Sequence, residues 1–334
     1  MEDKKLLRLL TACLCAVLFV GLLLGAGYAL NVLLVPPEIT QEPTNDTSEP
    51  TEEPTPPTEP PLTMPEVTQS AKRSFIYILE TDEFLMLKGN EDDKLYPASL
   101  TKLFSTYVAL LYLDAETTVK VGNEVLQVSL DSSKAGLTPG DVLTVRQLVE
   151  AMLLPSGNDA AATLAAAAGR KLAEEDNLSY KKAIARFVEE MNAVAQAEGL
   201  TGSHFVNPDG YHNKDHYTTC RDMQKIGVLA LNQPVIRQAM GTQKVVVDLQ
   251  YDFPGGWKNT NKLIHPDEPY YNPDALGMKT GYTGAAGYCL MSAFAAEGRT
   301  VLIGVFGCSG TDNRFADAQN IYNAYMQHNK NTLG

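Results

Sequence analysis

A serine and a lysine three residues apart, Ser99 and Lys102, stand at the start of a long apolar stretch. On a helix this spacing places both side chains on one face. Burial beside Leu103 and Phe104 disfavours the charged form of the lysine, and a neutral amine next to a hydroxyl is a general base for a serine nucleophile. Taken alone, however, so short a pattern is explained more simply by a helix-capping serine and a surface lysine.

A second pair of polar side chains, Ser156 and Asn158, lies in the segment Leu-Pro-Ser-Gly-Asn-Asp. Pro155 and Gly157 predict a tight loop between two helices, and this loop would present the serine hydroxyl and the asparagine amide together. Ser156 or Asn158 would also serve as the N-cap of the alanine-rich segment that follows. The two interpretations are compatible.

A third group of adjacent residues, Lys279, Thr280, Gly281 and Tyr282, comes shortly before a clear strand pattern. On an edge strand, the first two residues would place a cation and a hydroxyl beside a bound peptide. Glycine at position 281 would let that peptide lie close to the backbone. The alternative is a plain turn.

The elements that must position these groups follow from the hydrophobic pattern. Strand-like runs occur near both ends of the globular part, and helical patterns lie mostly between them. We therefore predict an α+β fold, in which an antiparallel sheet of N- and C-terminal strands carries an inserted helical region. The predicted strands are 74–79, 83–88, 287–296 and 300–307, and the predicted helices are 98–113, 143–154, 159–173, 179–198 and 313–328.

The three motifs S-x-x-K, S-x-N and K-T-G, in this order, resemble those of the low-molecular-mass penicillin-binding proteins, the serine-type D-alanyl-D-alanine carboxypeptidase family. The resemblance covers roughly residues 70–330 and includes the segments 204–210, 216–219 and 279–288. It implies a serine β-lactamase/transpeptidase-like fold. Gly157 stands where class A β-lactamases have aspartate, and no partner for their deacylating glutamate is evident, so the resemblance to that class is weaker.

The resemblance also implies a role for each residue of the first two motifs. Ser99 would be the acylated nucleophile and Lys102 its general base. Ser156 would relay protons, and Asn158 would bind the substrate amide. The backbone N–H groups of Ser99 and Tyr282 would form the oxyanion hole.

For the third motif, the resemblance implies contacts with the end of the substrate. Lys279 would maintain the electrostatic field around the serines, Thr280 would bind the terminal carboxylate, and Gly281 would lie beside the substrate. Arg314 matches an arginine that the family places at the start of its last helix, and we expect it to pair with that carboxylate. Its alternative is a surface arginine paired with Asp312 or Asp317.

The activity that this family implies is removal of the terminal D-Ala from peptidoglycan stem peptides through an acyl-enzyme on Ser99. β-Lactam antibiotics would be inhibitors, and no cofactor or metal is expected. D,D-transpeptidase, endopeptidase or β-lactamase activity on the same scaffold stays open, as does a non-catalytic cell-wall-binding protein. A zinc site at His204, His212 and His216 is a further alternative, but Pro208 and Gly210 indicate a loop rather than the required helix.

An uncharged, mostly apolar run near the N-terminus, preceded by basic residues, predicts a membrane-anchored protein. We predict a cytoplasmic tail at 1–8, a transmembrane signal-anchor at 9–35, a Pro/Thr/Glu-rich linker at 36–66 and a penicillin-binding catalytic domain at 67–334. The alternatives are signal cleavage near Ala29, which would secrete the protein, and a lipoprotein box at Cys13. Each places the catalytic domain outside a bacterial cell membrane. The chain after Lys279 is expected to finish that domain without the C-terminal β-domain that many members carry.

Composition excludes several other classes of protein. The net charge is −13 and no basic patch occurs, which argues against a nucleic-acid partner. The five cysteines are irregularly spaced without a C-x-x-C pair, which argues against a disulfide scaffold or a zinc finger. We expect Cys220, Cys289 and Cys308 to be buried free thiols.

Overall fold

A computed structural model describes residues 63–249 and 255–333 of the chain. The predicted cytoplasmic tail, the signal-anchor and nearly all of the predicted linker lie outside the described residues. Within the described ranges, no helix has the length and apolar character that crossing a membrane requires. The division into tail, anchor, linker and catalytic domain therefore stays a prediction.

The main sheet is antiparallel, has five strands and joins the two ends of the described chain. Its strand order is β2-β1-β9-β8-β7, so the N-terminal hairpin pairs directly with the last strand. Two small two-stranded sheets, β3 with β4 and β5 with β6, lie outside it. The strands are β1 Arg73–Ile78, β2 Glu83–Lys88, β3 Thr118–Lys120, β4 Val142–Thr144, β5 Lys244–Val245, β6 Trp257–Lys258, β7 Ala275–Thr283, β8 Gly287–Ala296 and β9 Arg299–Cys308.

Most helices lie in sequence between the hairpin and the last three strands, as predicted. Short 3-10 helices occur at Ala98–Leu100, Asn123–Gln127 and Lys262–Ile264. The α-helices are α1 Thr101–Leu110, α2 Val145–Leu153, α3 Asn158–Ala173, α4 Tyr180–Ala197, α5 Cys220–Asn232, α6 Pro234–Gly241 and α7 Asn313–Leu333.

Two helix starts differ from the predicted ones for local reasons. The helix predicted from residue 98 begins with a 3-10 turn, and α1 proper follows at Thr101. The helix predicted from residue 143 begins at Val145, because Leu143 belongs to β4 and Thr144 forms a capping box with Gln147. Thr144 Oγ1 accepts from the Gln147 N–H, and Gln147 Oε1 accepts from the Thr144 N–H.

The main sheet buries both of its faces. Alternate residues of a strand point to opposite faces, and β1 shows this directly. Phe75 and Tyr77 belong to the apolar cluster shared with the helical region, whereas Ile76 and Ile78 belong to the cluster shared with α7. The sheet is therefore the middle layer between α7 and the inserted helices.

The chain preceding β1 is fastened to α7 by one buried carboxylate. Asp317 accepts hydrogen bonds from the Ser70 N–H at 3.0 and 3.1 Å, the Ser70 hydroxyl at 2.9 Å and the Ala71 N–H at 2.8 Å. An ionised carboxylate with several donors forms strong hydrogen bonds. Asp317 thus holds the entry of the sheet against the last helix.

We expect Asp317→Asn to lower the free energy of unfolding by about 2–3 kcal/mol, because an amide nitrogen would then face buried N–H donors. Asp312→Asn is the matched control on the same part of the chain. It removes a partly exposed ion pair with Lys262 and should cost less than about 1 kcal/mol. Urea unfolding curves of the two variants test this. Equal losses would show that the Asp317 contacts contribute no more than an exposed pair.

Candidate active site

Ser99 lies in the 3-10 turn that leads into α1, with its side chain partly exposed. The preceding residue, Ala98, has a φ of +49°, which is uncommon for a residue with a side chain. The Ser99 hydroxyl lies 2.9 Å from the Lys102 Nζ. The prediction that the two side chains share one face at a helix start is therefore confirmed.

Lys102 is completely buried, and none of its hydrogen-bond partners is a carboxylate. Its Nζ lies 2.9 Å from the Ser99 Oγ, 2.7 Å from the Asn158 Oδ1 and 2.8 Å from the Asp209 backbone carbonyl oxygen. Burial lowers the pKa of the Lys102 amine to about 8, although the charges of Asp209 and Asp159 act in the opposite direction. The surface-lysine interpretation is wrong, because this amine lies in the interior.

The Asp209 carbonyl is a contact that the sequence did not reveal. It lies in the segment 204–210, where the Asn207 Oδ1 accepts from the Gly210 N–H at 2.7 Å and the Asn207 Nδ2 donates to the Tyr211 carbonyl at 2.9 Å. This closed turn fixes the carbonyl that faces Lys102. The only signal in the sequence was the resemblance of this segment to the family, which gave it no role.

Ser156 lies in the tight loop between α2 and α3, as predicted, and Asn158 is the first residue of α3. Ser156 has a φ of +67°, and the Gly157 N–H donates to the Ala151 carbonyl at 3.1 Å. A Cβ on Gly157 would lie 2.7 Å from that carbonyl, so the loop requires glycine there. No side chain caps α3. The N-cap interpretation is therefore wrong: the Asn158 Oδ1 binds the Lys102 amine instead.

Asp159, the next residue, shapes one wall of the site and was missed by the sequence reasoning. Its carboxylate accepts hydrogen bonds from the N–H groups of Ala135, Gly136 and Leu137 at distances between 2.8 and 3.1 Å. The Asn158 N–H donates to the Ser133 carbonyl at 2.9 Å. Together these bonds hold the loop 131–137 beside Ser156. An aspartate in the first turn of a helix is favoured by the helix dipole, so its position in the sequence did not indicate contacts with a distant loop.

Lys279 and Thr280 lie on β7, which is an edge of the main sheet, so the plain-turn interpretation is wrong. Lys279 is completely buried, and its Nζ donates to the Thr280 carbonyl at 2.9 Å. Burial holds the pKa of Lys279 well below its usual range, and the positive charges of Lys102 and Arg314 lower it further. The Thr280 Oγ1 lies 2.6 Å from the Thr260 Oγ1, a partner that the sequence did not suggest.

Gly281 lies where β7 passes the turn that carries the serine. A Cβ there would lie 3.1 Å from the Pro97 carbonyl oxygen, 3.3 Å from the Ala98 Cβ and 3.3 Å from the Leu100 Cγ. The absence of a side chain lets the strand pack against the 3-10 turn. Glycine is therefore explained by packing within the protein, in addition to the predicted approach of a substrate.

Arg314 is mostly buried at the start of α7, next to β7. Its Nη1 donates to the Gly281 carbonyl at 3.2 Å, and its Nε has no hydrogen-bond partner among the described residues. Asp312 bonds to Lys262, and Asp317 bonds to the chain before β1. The interpretation of Arg314 as a surface arginine is therefore wrong.

Tyr282 ends the motif with a ring that is 54% exposed. It stacks on Tyr288 of the neighbouring strand, with ring centroids 4.4 Å apart. The same Tyr288 ring lies 5.5 Å from the Arg314 guanidinium carbon. Tyr288 thus contacts both the exposed Tyr282 ring and the arginine.

These residues surround one cleft with a volume of about 460 Å³. Most of the predicted site residues line it, whereas Lys102 and Lys279 lie buried behind its wall. The predicted residues that line the cleft are Ser99, Ser156, Asn158, Thr280, Gly281, Tyr282 and Arg314.

The three histidines of the metal alternative contact different groups. The His204 Nδ1 lies 2.6 Å from the Asp215 carbonyl, the His212 ring meets Tyr96 edge-on, and His216 bonds to Thr101. In the part of the chain that the structure describes, no three His, Cys, Asp or Glu side chains form a group suited to a metal ion.

The cysteines of the described residues are free and buried, as predicted: Cys220, Cys289 and Cys308. Burial raises the pKa of the Cys289 thiol to about 11 and those of the other two thiols to about 12. A thiol needs its thiolate form to react. Burial therefore disfavours the reactive thiolate form at all three residues.

A serine beside a buried amine, with a second hydroxyl and an edge strand around the same cleft, has the parts that nucleophilic acyl transfer requires. This class of site agrees with comparisons to known proteins. The sequence profile described as D-alanyl-D-alanine carboxypeptidase matches residues 62–310. The chain belongs to this family of penicillin-binding D,D-peptidases.

Relatives in several bacteria carry the same description. The D-alanyl-D-alanine carboxypeptidase of Streptomyces sp. strain K15 is 34% identical over 70% of this chain and 79% of its own length. DacF of Bacillus subtilis is 29% identical over 80% of this chain and 65% of its own length. DacA of Escherichia coli K12 is 33% identical over 72% of this chain and 57% of its own length. The chain thus spans less than two thirds of the latter two relatives.

Solved structures show the same fold. The Streptomyces K15 DD-transpeptidase superposes with a TM-score of 0.70 at 30% identity, over 80% of this chain and 100% of that one. Penicillin-binding protein D2 of Listeria monocytogenes, in its ampicillin-bound form, gives a TM-score of 0.63 at 25% identity, over 78% and 99% of the two chains. The predicted transpeptidase-like α+β fold is confirmed.

Proposed function

We propose that this protein is a serine D-alanyl-D-alanine carboxypeptidase that removes the terminal D-Ala from peptidoglycan stem peptides. The observation that carries the proposal is the contact between the Ser99 hydroxyl and the buried Lys102 amine at 2.9 Å. Membership of the family and the ampicillin-bound relative support this substrate class and β-lactams as inhibitors. No step of the proposed reaction requires a cofactor or a metal.

The hydrogen-bond partners of Lys102 orient the lone pair of its neutral amine. The Asn158 Oδ1 and the Asp209 carbonyl are acceptors only. A neutral amine has two N–H donors, so these two oxygens occupy both of them. Its lone pair then faces the Ser99 Oγ. Lys102 is therefore set to take the proton of the Ser99 hydroxyl as the oxygen attacks the penultimate carbonyl of the peptide.

The acylation step needs three further contributions from the cleft. The backbone N–H groups of Ser99 and Tyr282 stabilise the oxyanion, and Asn158 contacts the substrate amide. Ser156 passes the proton to the nitrogen of the departing D-Ala, so the C–N bond breaks as the Ser99 ester forms. Water then attacks that ester, takes the place of the serine oxygen and returns the proton through Lys102.

The carboxylate of the terminal D-Ala is the second recognition element. Thr280 offers a hydroxyl, and Arg314 supplies positive charge in the same cleft. Arg314 is held by the Gly281 carbonyl through one nitrogen only, and its Nε is without a partner. A free carboxylate matches this arrangement, which favours a carboxypeptidase over an internal peptidase.

A D,D-transpeptidase is the second candidate, because the structure that superposes with a TM-score of 0.70 is described as a DD-transpeptidase. The two reactions share the acyl-enzyme and differ only in whether water or an amine accepts the acyl group. Incubation with a D-Ala-D-Ala peptide and an amine acceptor separates them. Free D-Ala without cross-linked product indicates the carboxypeptidase.

The location of the protein is part of the same proposal. Stem peptides lie outside the cytoplasmic membrane, so the catalytic domain must be exported to meet them. The uncharged run 9–35, preceded by Lys4, Lys5 and Arg8, supports a single-pass anchor with the catalytic domain on the outer side. Secretion after signal cleavage is the alternative.

The nucleophile is tested with a fluorescent penicillin and a D-Ala-D-Ala peptide. The parent protein should gain one penicillin adduct on the peptide that contains Ser99 and should release D-Ala. Ser99→Ala should do neither, whereas Ser179→Ala, at an exposed helix start, should retain both reactions. Mass spectrometry locates the adduct. An adduct that persists in Ser99→Ala would assign the nucleophile to another residue.

The general base is tested by the pH dependence of acylation. The rate should increase with pH, reach half of its maximum near pH 8 and level off above that value, because only the deprotonated Lys102 amine accepts a proton. Lys102→Arg should abolish acylation at every accessible pH, since the pKa of arginine is above about 12. The control Lys171→Arg, on the exposed side of α3, should keep the parent profile. Near-normal acylation by Lys102→Arg would contradict the assignment.

The carboxylate contact is tested with two substrates, the D-Ala-D-Ala peptide and its C-terminal carboxamide. The parent should prefer the free acid strongly in kcat/KM. Arg314→Ala should lose about 2–4 kcal/mol of transition-state binding for the acid and little for the carboxamide. Arg146→Ala, which removes an exposed pair with Glu116, is the control. A preference that is unchanged in Arg314→Ala would leave this arginine with a packing role.

A further inference from the structure

A buried histidine lies behind the turn that carries Ser99, although it is outside the motifs and does not line the cleft. His216 is 2% exposed. Its Nδ1 accepts a hydrogen bond from the Val206 N–H at 3.2 Å. Because a backbone N–H can only donate, the Nδ1 carries no proton, and the ring proton lies on the Nε2.

The Nε2 is directed at the start of α1. It lies 2.9 Å from the Thr101 Oγ1, and the Thr101 hydroxyl donates to the Ala98 carbonyl at 2.8 Å. The Val206 N–H, the imidazole, the hydroxyl and the carbonyl thus form one continuous chain of hydrogen bonds. Each group has a single compatible donor or acceptor role, so the chain has one direction.

This chain of hydrogen bonds ends on a residue with an uncommon backbone conformation. Ala98 has a φ of +49°, and it directly precedes Ser99. Gly210 approaches the same carbonyl so closely that a Cβ on it would lie 1.8 Å from the Ala98 oxygen. An uncommon backbone conformation persists only where the surroundings hold it. Here the threonine hydroxyl and the glycine backbone hold one peptide group from two sides.

The imidazole is suited to this task because it stays uncharged. Burial lowers the pKa of His216 to about 4, and the nearby His204, His212 and Lys102 lower it in the same direction. A charged imidazole would have to give up the bond from Val206, since both of its nitrogens would then donate. At neutral pH the chain of hydrogen bonds is therefore intact.

We propose that His216 and Thr101 are positioning residues for the acylation step: the imidazole acts through the Thr101 hydroxyl to fix the Ala98 peptide and hence the direction of the Ser99 Oγ towards the Lys102 amine. This inference rests on the proposed function, because it assigns a task within that reaction. Neither residue contacts the substrate. Their contribution is to kcat and to the acylation rate rather than to binding.

A matched set of threonine variants tests the hydroxyl. Thr101→Val keeps the shape and removes the hydroxyl, and Thr101→Ser keeps the hydroxyl. Thr106→Val is the control: the same change, on the same helix, at a buried residue whose hydroxyl bonds only to the Met152 sulfur. Acylation by fluorescent penicillin, kcat and KM on a D-Ala-D-Ala peptide, and the melting temperature are measured for each.

We expect Thr101→Val to lose roughly 10- to 100-fold in acylation rate and kcat with little change in KM, which is the scale of a misplaced reacting group. Thr101→Ser should regain most of the loss, and Thr106→Val should keep the parent rates. The two valine variants should melt at similar temperatures. Thr101→Val activity within twofold of the parent, or a loss that Thr101→Ser does not rescue, would overturn the proposal.

The role of His216 is tested by combining a His216 variant with Thr101→Val and comparing the rates. His216→Phe keeps a ring that packs edge-on against Phe205 and removes both nitrogens. If the imidazole acts through Thr101, the double variant with Thr101→Val should be no slower than the slower single variant. Rate losses that multiply would overturn that part of the proposal. If His216→Phe does not fold, the threonine series still decides the case for the hydroxyl.

A readout that does not depend on turnover separates this proposal from the proposed function. Nitrogen NMR of the parent should show His216 as the tautomer protonated at Nε2. The opposite tautomer would overturn the hydrogen-bond chain even in an active enzyme. A parent that neither binds penicillin nor releases D-Ala would refute the proposed function, and with it the assigned task.

Discussion

One buried amine imposes the arrangement of the whole site. Lys102 has lost its contact with water, so its nitrogen needs hydrogen-bond partners inside the protein. Those partners come from three separate parts of the chain: the turn of Ser99, the start of α3 with Asn158, and the closed turn that presents the Asp209 carbonyl. Because a misplaced partner would leave a buried polar group unpaired, these contacts favour this arrangement of the three segments.

The charges around the cleft add a second constraint. Lys102, Lys279 and Arg314 are buried close enough for the positive charges of Lys102 and Arg314 to lower the pKa of Lys279. Such an arrangement opposes folding, since burial and mutual repulsion both disfavour the charged forms. In the proposed reaction, the carboxylate of the substrate would relieve that repulsion. The charges that make the site unfavourable on its own would then favour an anionic peptide end.

The sequence predicted those parts of the site that are formed by side chains of a characteristic type and spacing. The three motifs, the strand pairs and the helical insertion could all be recognised, because spacing and periodicity record them. The Asp209 carbonyl could not, since every residue has a carbonyl and only the turn around Asn207 gives this one its direction. The N-cap interpretation of Asn158 was wrong for a related reason: a capping residue and a ligand of a distant amine have the same local sequence.

The strand order also determines the stage of folding at which the site residues come together. β1 and β9 are hydrogen-bonded neighbours although they come from opposite ends of the described chain, and β7 reaches the serine turn only as part of that sheet. A chain that emerges with its N-terminus first has made Ser99 and Lys102 long before Lys279 and Arg314. Contacts between such distant segments form slowly, because closing long loops costs entropy. The site is therefore complete only after the last strands have been synthesised and have joined the sheet.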